Sequence, residues 1–477
     1  MSTMETTSPR SWLVDEHGNP ATGPSEGLDI YDRAIDRLLR FHPDVVDLAD
    51  ALVTEHADLP MGQALMAYLY LMSTDAPDLP AARAAHQALL AAGTNEREAL
   101  HGRAIGRWLD GDWTGAARTL DDLLARWPGD LLALAIGHQL DFFLGDARNL
   151  RDRPGRTLPE LDPGHPHTAF VRGMQAFGLE ESGHYDRSEA AGLSAIATNA
   201  DDVWAIHAVV HTYEMQGRVD EGLRFLLGRV DDWASGNLFT VHNWWHLALY
   251  YLEAGAPDEV LRVYDTQVHH ADSAGVPLEM LDASALLWRF ELDALPTGGR
   301  WEALADAWLP RTQDEPWYAF NDLHGVMALV GAGRMSDARA VIERMVAYAR
   351  VPGPGTNKMM TADIGLPSSL AVVAYAEGRY HDVIAELEPI RLVLNRFGGS
   401  HAQRDALQRT LLESALRAGE LELARTLVAE RISLRESSVY GWSRRARLLR
   451  AMDDVARADA ADATARDHQA RFAAALR

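Results

Sequence analysis

The chain has 477 residues, enough for a large core but too many for one compact globule, so it holds several domains or grows by repetition. Its formal charge of −24, from 45 Lys+Arg against 69 Asp+Glu, argues against nucleic acid or an anionic membrane surface as the main partner. The lack of cysteine excludes disulfides, thiolate nucleophiles and Cys-ligated zinc, and Lys358, the one lysine, is the single candidate for Schiff-base chemistry.

Residues 1–26 are polar, with Pro and Gly, and read as a loose N-terminal arm. They contain no apolar h-region, so no signal peptide is expected. No apolar run approaches the roughly 18 residues of a membrane span, which together with the charge suits a cytoplasmic protein without a membrane partner.

Residues 27–477 read as one array. An apolar-periodic helix, a Gly-containing turn and a second helix recur, with turn glycines at 111, 145, 183, 217, 255, 333, 378 and 419. The long step from Gly255 to Gly333 is two repeats, with its missing turn near Ala294–Gly299. A period of about 34 to 45 residues with two helices is the signature of tetratricopeptide-like repeats. The predicted fold is therefore all-α, a tetratricopeptide-like α-solenoid forming a right-handed superhelix of helix hairpins. Two segments break the pattern, 147–166 and 351–368, and are expected as long loops acting as lids or rims.

The stretch HAVVHTYE places His207, His211 and Glu214 on one face of a first helix, at i, i+4 and i+7. HNWWH repeats the spacing with His242 and His246. HQLD contributes His138 and Asp141, LDAS contributes Asp282, and NDLH contributes Asp322 and His324. GGSHAQRD brings Ser400, His401, Gln403, Arg404 and Asp405 together at a Gly-rich helix entry, without the spacing of a P-loop. First helices of such repeats line the concave surface, so these groups are expected to converge on one pocket. DPGHPH is a rigid turn from which His165 or His167 could reach the groove mouth.

The ordered stretches WAIHAVVHTYEMQGRVDEG, HNWWHLALYYLE, LDASALLWR, FNDLHGVMAL and GGSHAQRD resemble the tetratricopeptide repeat protein 38 family, in a bacterial member. So does DFFLGDARNLRDRPGRTLP followed by DPGHPH. The resemblance spans about residues 100 to 430 and implies a helical-repeat fold; it carries over no reaction and no catalytic residues.

Three readings of the residues stay open. In the first, His207, His211, His242 and His246 bind a divalent metal such as zinc, which would activate water for hydrolysis. In the second, a metal-free pocket uses His207, His211, Glu214, His242, His246, Asp322 and His324 for acid/base work of hydrolase or lyase type. There Arg404, with Arg151 or Arg153, would clamp an anionic substrate, Trp245 would supply a wall, and His138, Asp141, Asp282, His401, Gln403 and Asp405 would line the pocket. In the third, the groups are structural, although each buried polar atom left unsatisfied costs about 1–3 kcal/mol. The expected partner is a small polar or anionic molecule, with a homodimer left open. The rival is a non-catalytic scaffold holding a peptide or protein in its concave groove.

Overall fold

The structure, a computed structural model, describes residues 13–353 and 355–476. Each recurrence of apolar periodicity and glycine turn folds as a pair of packed helices. All eight turn glycines have positive φ, from 64° at Gly145 to 82° at Gly111, the region in which a side chain is strained. The missing turn lies between helices Pro277–Leu292 and Arg300–Trp308, where Ala294 takes the left-handed conformation instead of a glycine. The chain is an all-α tetratricopeptide-like solenoid, as its periodicity predicts.

The elements that build the site are, in chain order, the hairpin β1 (Leu13–Val14) and β2 (Pro20–Ala21), then α1 (Ser25–Leu39), α2 (Leu131–Leu144), α3 (Ala147–Thr157), α4 (Pro166–Glu181), α5 (Val203–Met215), α6 (Thr240–Glu253), α7 (Pro277–Leu292), α8 (Ala319–Gly331) and α9 (His401–Ala418). Helix α5 is buried on every side from Val203 to Tyr213, as expected of a helix apolar all round. Its start is fixed by the Asp202 carboxylate, which accepts from the Ala205 N–H at 2.9 Å.

Superhelical rotation brings a late helix against early ones. Helix α9 touches α7 through Trp288 Nε1–H donating to Thr410 Oγ1 (2.9 Å) and Arg289 donating to the Ala402 carbonyl (2.6 Å). It touches α4 through the His401 N–H donating to Glu181 Oε1 (2.8 Å). With α9 packed against α4 and α7, groups expected to line an open pocket lie in the interior.

Three local expectations need correction. Residues 147–166 are largely helical: Asp146 caps α3 by accepting from the Asn149 N–H, and Arg153 inside α3 is buried against Asp141 of α2. That buried ion pair holds a helix in an Arg-, Asp- and Pro-rich stretch whose local propensity reads as loop. Residues 351–368 likewise enter a helical stretch, Thr356–Ala376, anchored where the Ala319 N–H donates to Asn357 Oδ1 (2.8 Å). With mean hydropathy 1.2 this stretch is long and apolar enough to cross a membrane by length and composition, but 61% of its apolar window is buried inside the fold. Reading its start as loop concealed the length of the run.

The third correction concerns the arm. Residues 1–12 lie outside the described residues, but 13–24 dock. The Asp15 carboxylate closes the hairpin by accepting from the Asn19 N–H (2.8 Å) and meets the buried Arg97 guanidinium at 3.1 Å. Asn19 donates to the Gly129 carbonyl (3.1 Å), fixing the hairpin to the turn before α2.

Candidate metal centre

The i, i+4 pairs on α5 and α6 meet as the spacing predicts. One ring nitrogen from each of His207, His211, His242 and His246 lies within 4.8 Å of the others. His207 Nε2 and His246 Nε2 each stand 3.1 Å from His242 Nε2. The rings pack edge to face, with centroids 4.3 Å apart for His207 and His211 and 4.4 Å for His211 and His246.

Carboxylates stand behind three of the four rings. Asp282 of α7 accepts from His242 Nδ1 at 2.6 Å, and Glu214 of α5 accepts from His246 Nδ1 at 3.1 Å. Glu180 of α4 approaches His211 Nδ1 at 3.6 Å. A carboxylate can only accept, so His242 and His246 carry their protons on Nδ1 and turn bare Nε2 lone pairs toward each other. Two lone pairs 3.1 Å apart repel unless a cation lies between them. Burial first, then the neighbouring imidazoles, lower His207, His211 and His246 well below the usual histidine range, so none of these three supplies the proton that a hydrogen-bonded contact would need. A tetrahedral metal with nitrogens at about 2.0–2.1 Å holds them about 3.3–3.4 Å apart, close to the spacing observed. His207 Nδ1 and both ring nitrogens of His211 are buried without a hydrogen-bond partner.

The surroundings are apolar and aromatic. Trp245 stacks on His242 at 5.2 Å with 23° between planes. Phe239 lies 4.9 Å from His207 and 4.8 Å from His242, and Phe177 lies 5.0 Å from His207. Such a shell raises the cost of an uncompensated polar nitrogen and strengthens any charge interaction inside it.

The other expected residues divide by distance from this centre. Gln403 belongs to its outer shell: its side chain donates to Asp282 Oδ1 (3.1 Å) while its own N–H and side chain complete a capping box with Ser400. Gly398 opens that helix entry at φ 87°, where a Cβ would stand 2.5 Å from the Phe143 carbonyl oxygen. His138 accepts from Trp204 Nε1 (3.1 Å) rather than joining the four rings. His324 is held by the Phe320 carbonyl at 2.7 Å, its Nε2 unpartnered.

Five expected residues serve other structures. Asp141 forms a bidentate pair with Arg153, at 2.7 and 2.9 Å, clamping α2 to α3. Arg151 pairs with its neighbour Asp152 on the surface. Asp322 borders a small cavity with Thr74, Asp75 and Arg311, and burial pushes its carboxyl up to about 7. Asp405 is a hub for Arg409, Arg431 and Arg435. Arg404 binds the Gly399 carbonyl and Glu181. Their placement corrects the expectation of one shared pocket: repeat position puts a residue on a helix face, but partners elsewhere in the array decide what it meets.

His401 lies between Glu180 and Glu181, two carboxylates absent from the candidate residues expected from sequence. The signal was there, since Glu180 stands three residues before Gly183, as Glu214 does before Gly217. Burial and the adjacent Glu181 raise Glu180, whereas His401 and Arg404 hold Glu181 below the carboxylate range against its own burial. Burial opposes a proton on His401, but the two glutamates outweigh it and raise its pKa.

A second histidine cluster forms where the hairpin meets α4. His17 Nε2 and His167 Nδ1 are 2.9 Å apart, His167 Nε2 is 3.2 Å from Asp36, and His165 Nε2 is 3.0 Å from Glu16. The His167 N–H donates to His165 Nδ1 at 3.2 Å.

No protein-family model matches the chain. Among solved structures, it aligns with a human IFIT1 dimer with m7Gppp-AAAA at 13% identity and TM-score 0.39, covering 97% of this chain and 96% of that one. It aligns with the APC/C hetero-tetramer Cut9–Hcn1 at 12% identity and TM-score 0.27, covering 87% and 96%. With Naa15/Naa10 bound to HypK-THB the figures are 13%, 0.25, 93% and 64%. These matches correct the expectation of a small-molecule partner with nucleic acid excluded: the solved helical-repeat structures are assemblies with a capped oligonucleotide or with other proteins. At the level of architecture, the chain is a tetratricopeptide-like helical-repeat protein built around a buried four-histidine cluster.

Proposed function

We propose that this protein is a non-catalytic helical-repeat scaffold whose interior is locked by a divalent transition metal on His207, His211, His242 and His246. The observation that carries the reading is the pair of carboxylate-oriented imidazoles, His242 and His246, with bare Nε2 atoms 3.1 Å apart. An all-nitrogen set suits zinc, copper or nickel. Four protein ligands fill a tetrahedral shell and leave no position for water, which supports a structural role over metal-assisted hydrolysis. The ion would tie α5 to α6 directly, to α7 through Asp282, and to α9 through Gln403. X-ray absorption on zinc-loaded protein tests the ligand set. The expected result is four imidazole nitrogens at about 2.0–2.1 Å; two or fewer imidazoles, completed by water, would overturn it.

The partner of the scaffold is a macromolecule in this reading. A cavity of about 680 Å3 lies open on the surface between α1 and the start of α4. Arg33, Arg37 and Arg40 alternate there with Asp32, Asp36 and Asp44, which supports a peptide or protein partner of mixed charge. The double variant Arg33→Glu/Arg37→Glu should reduce partner recovery on the immobilised chain; unchanged recovery would remove this surface from the reading. Membership of the tetratricopeptide repeat protein 38 family and a cytoplasmic setting belong to the same proposal, supported by the ordered motifs and the cysteine-free composition.

A further inference from the structure

Glu180 is fully buried, and neither of its carboxylate oxygens has a hydrogen-bond partner. Its Oε1 stands 3.6 Å from His401 Nδ1, which is also unpartnered, and Glu181 Oε1 stands 3.5 Å from the same nitrogen. These separations are too long for hydrogen bonds. They match ligand atoms sharing one cation, which at about 2.1–2.2 Å from each and angles near 90–110° stand about 3.0–3.6 Å apart. The charge agrees with the distances. Arg404 Nη2 lies 3.1 Å from Glu181 Oε2 and offsets one carboxylate, leaving the other for a cation. A buried carboxylate pair is costly, and a divalent cation that displaces the His401 proton would supply a stronger counter-charge than the imidazolium it replaces.

Access separates this place from the four-histidine cluster. The His401 side chain is 35% exposed, whereas the glutamates behind it are buried. We propose that Glu180, Glu181 and His401 form a second divalent-cation site, buried beneath a partly exposed histidine ring and suited to an ion that accepts mixed oxygen and nitrogen ligands, such as Mn2+. None of its three ligands belongs to the four-histidine set, so the site stands whether or not those histidines bind metal. Glu180 also approaches His211 Nδ1 at 3.6 Å, placing the second site directly behind a ligand of the first.

The test is a Mn2+ titration of the full chain loaded with one equivalent of zinc, following free Mn2+ by its paramagnetic resonance signal. The expected result is one further equivalent of Mn2+ bound. Affinity should fall at least about tenfold in His401→Ala and in Glu181→Gln, with zinc content unchanged, in line with losing one ligand of a metal site. The variant His207→Ala/His242→Ala should still bind Mn2+, so failure of the buried centre and failure of this site give different patterns. No Mn2+ binding by the zinc-loaded protein, or wild-type Mn2+ affinity retained in both single variants, would overturn the proposal.

Discussion

The two histidine clusters of this protein use the same residue types and opposite proton arrangements. At the hairpin, Asp36 fixes the His167 proton on Nε2, so its bare Nδ1 accepts from His17 Nε2–H, while His165 accepts from a backbone N–H and donates to Glu16. Every stated contact pairs a donor with an acceptor. In the interior, Asp282 and Glu214 fix protons on the outer nitrogens, and the inner nitrogens of His242 and His246 face each other with no donor between them. The ligand atoms of both clusters converge within 4.8 Å, so proximity does not distinguish them. What identifies a metal site is where the second-shell carboxylates put the protons.

The largest effect that would break this contrast is expected from removing a ligand of the proposed ion. His242→Ala should abolish tight zinc binding at the four-histidine cluster and, with it, the response of stability to chelator. For free metal at 100 to 1,000 times its Kd, linkage gives about 2.7–4.1 kcal/mol of stabilisation, readable as a chelator-induced fall in Tm that the variant lacks. His17→Ala should leave metal content and chelator response intact. Loss of metal in His17→Ala would show that the hairpin cluster is a metal site and that the proton assignment misleads.

Next in size is the second shell. Asp282→Asn retains the shape but no longer fixes the His242 proton, and should weaken zinc about 10- to 100-fold in a chelator competition. The same change at Asp36 should leave zinc affinity unchanged.

The dependence on pH sharpens the comparison. His207, His211 and His246 have lowered pKa values in the folded protein, so the unfolded chain takes up protons first as pH falls below 6.5. Their stabilising contribution is complete above 6.5 and is lost on acidification, and bound metal should carry it to lower pH. Urea unfolding of metal-free and zinc-loaded protein from pH 7.5 to 5 should diverge below 6.5; parallel curves would count against a metal on these rings. At the hairpin, burial and the neighbouring histidines lower His17 to about 4, so its contribution is lost between pH 6.5 and about 4, with or without metal. Hydrogen exchange of residues 13–24, corrected for intrinsic rate, should accelerate through that window.

The smallest effect is expected at Glu16, which is exposed where it pairs with His165. Glu16→Gln should change stability by less than about 0.5 kcal/mol. A larger loss in denaturant unfolding would mean that the hairpin cluster works as a tighter unit than its separate bonds imply.

Much of this arrangement was legible in the sequence, for a local reason. Turn glycines give the repeat, the repeat places HAVVH and HNWWH on neighbouring first helices, and i, i+4 spacing aligns each pair. Glu214 and Asp282 were visible for the same reason. What escaped depends on contacts between distant segments. Asp141 looked like a pocket carboxylate until Arg153, on a helix hidden in an apparent loop, took both its oxygens. Asp405 looked like part of a helix-entry site until three arginines gathered around it. Glu180 and Glu181 carried no expectation, because only superhelical closure sets His401 against them. Periodicity reports the face of a helix; it carries no information on how far the superhelix turns before it meets itself.

The most direct test of the central claim is elemental analysis of protein purified without an affinity tag or metal column, then dialysed against zinc and against metal-free buffer. The account predicts one tightly held metal ion per chain, retained in metal-free buffer and absent from a folded His207→Ala/His242→Ala variant. A wild-type protein that keeps no metal, or a double variant that keeps the full complement, would contradict it.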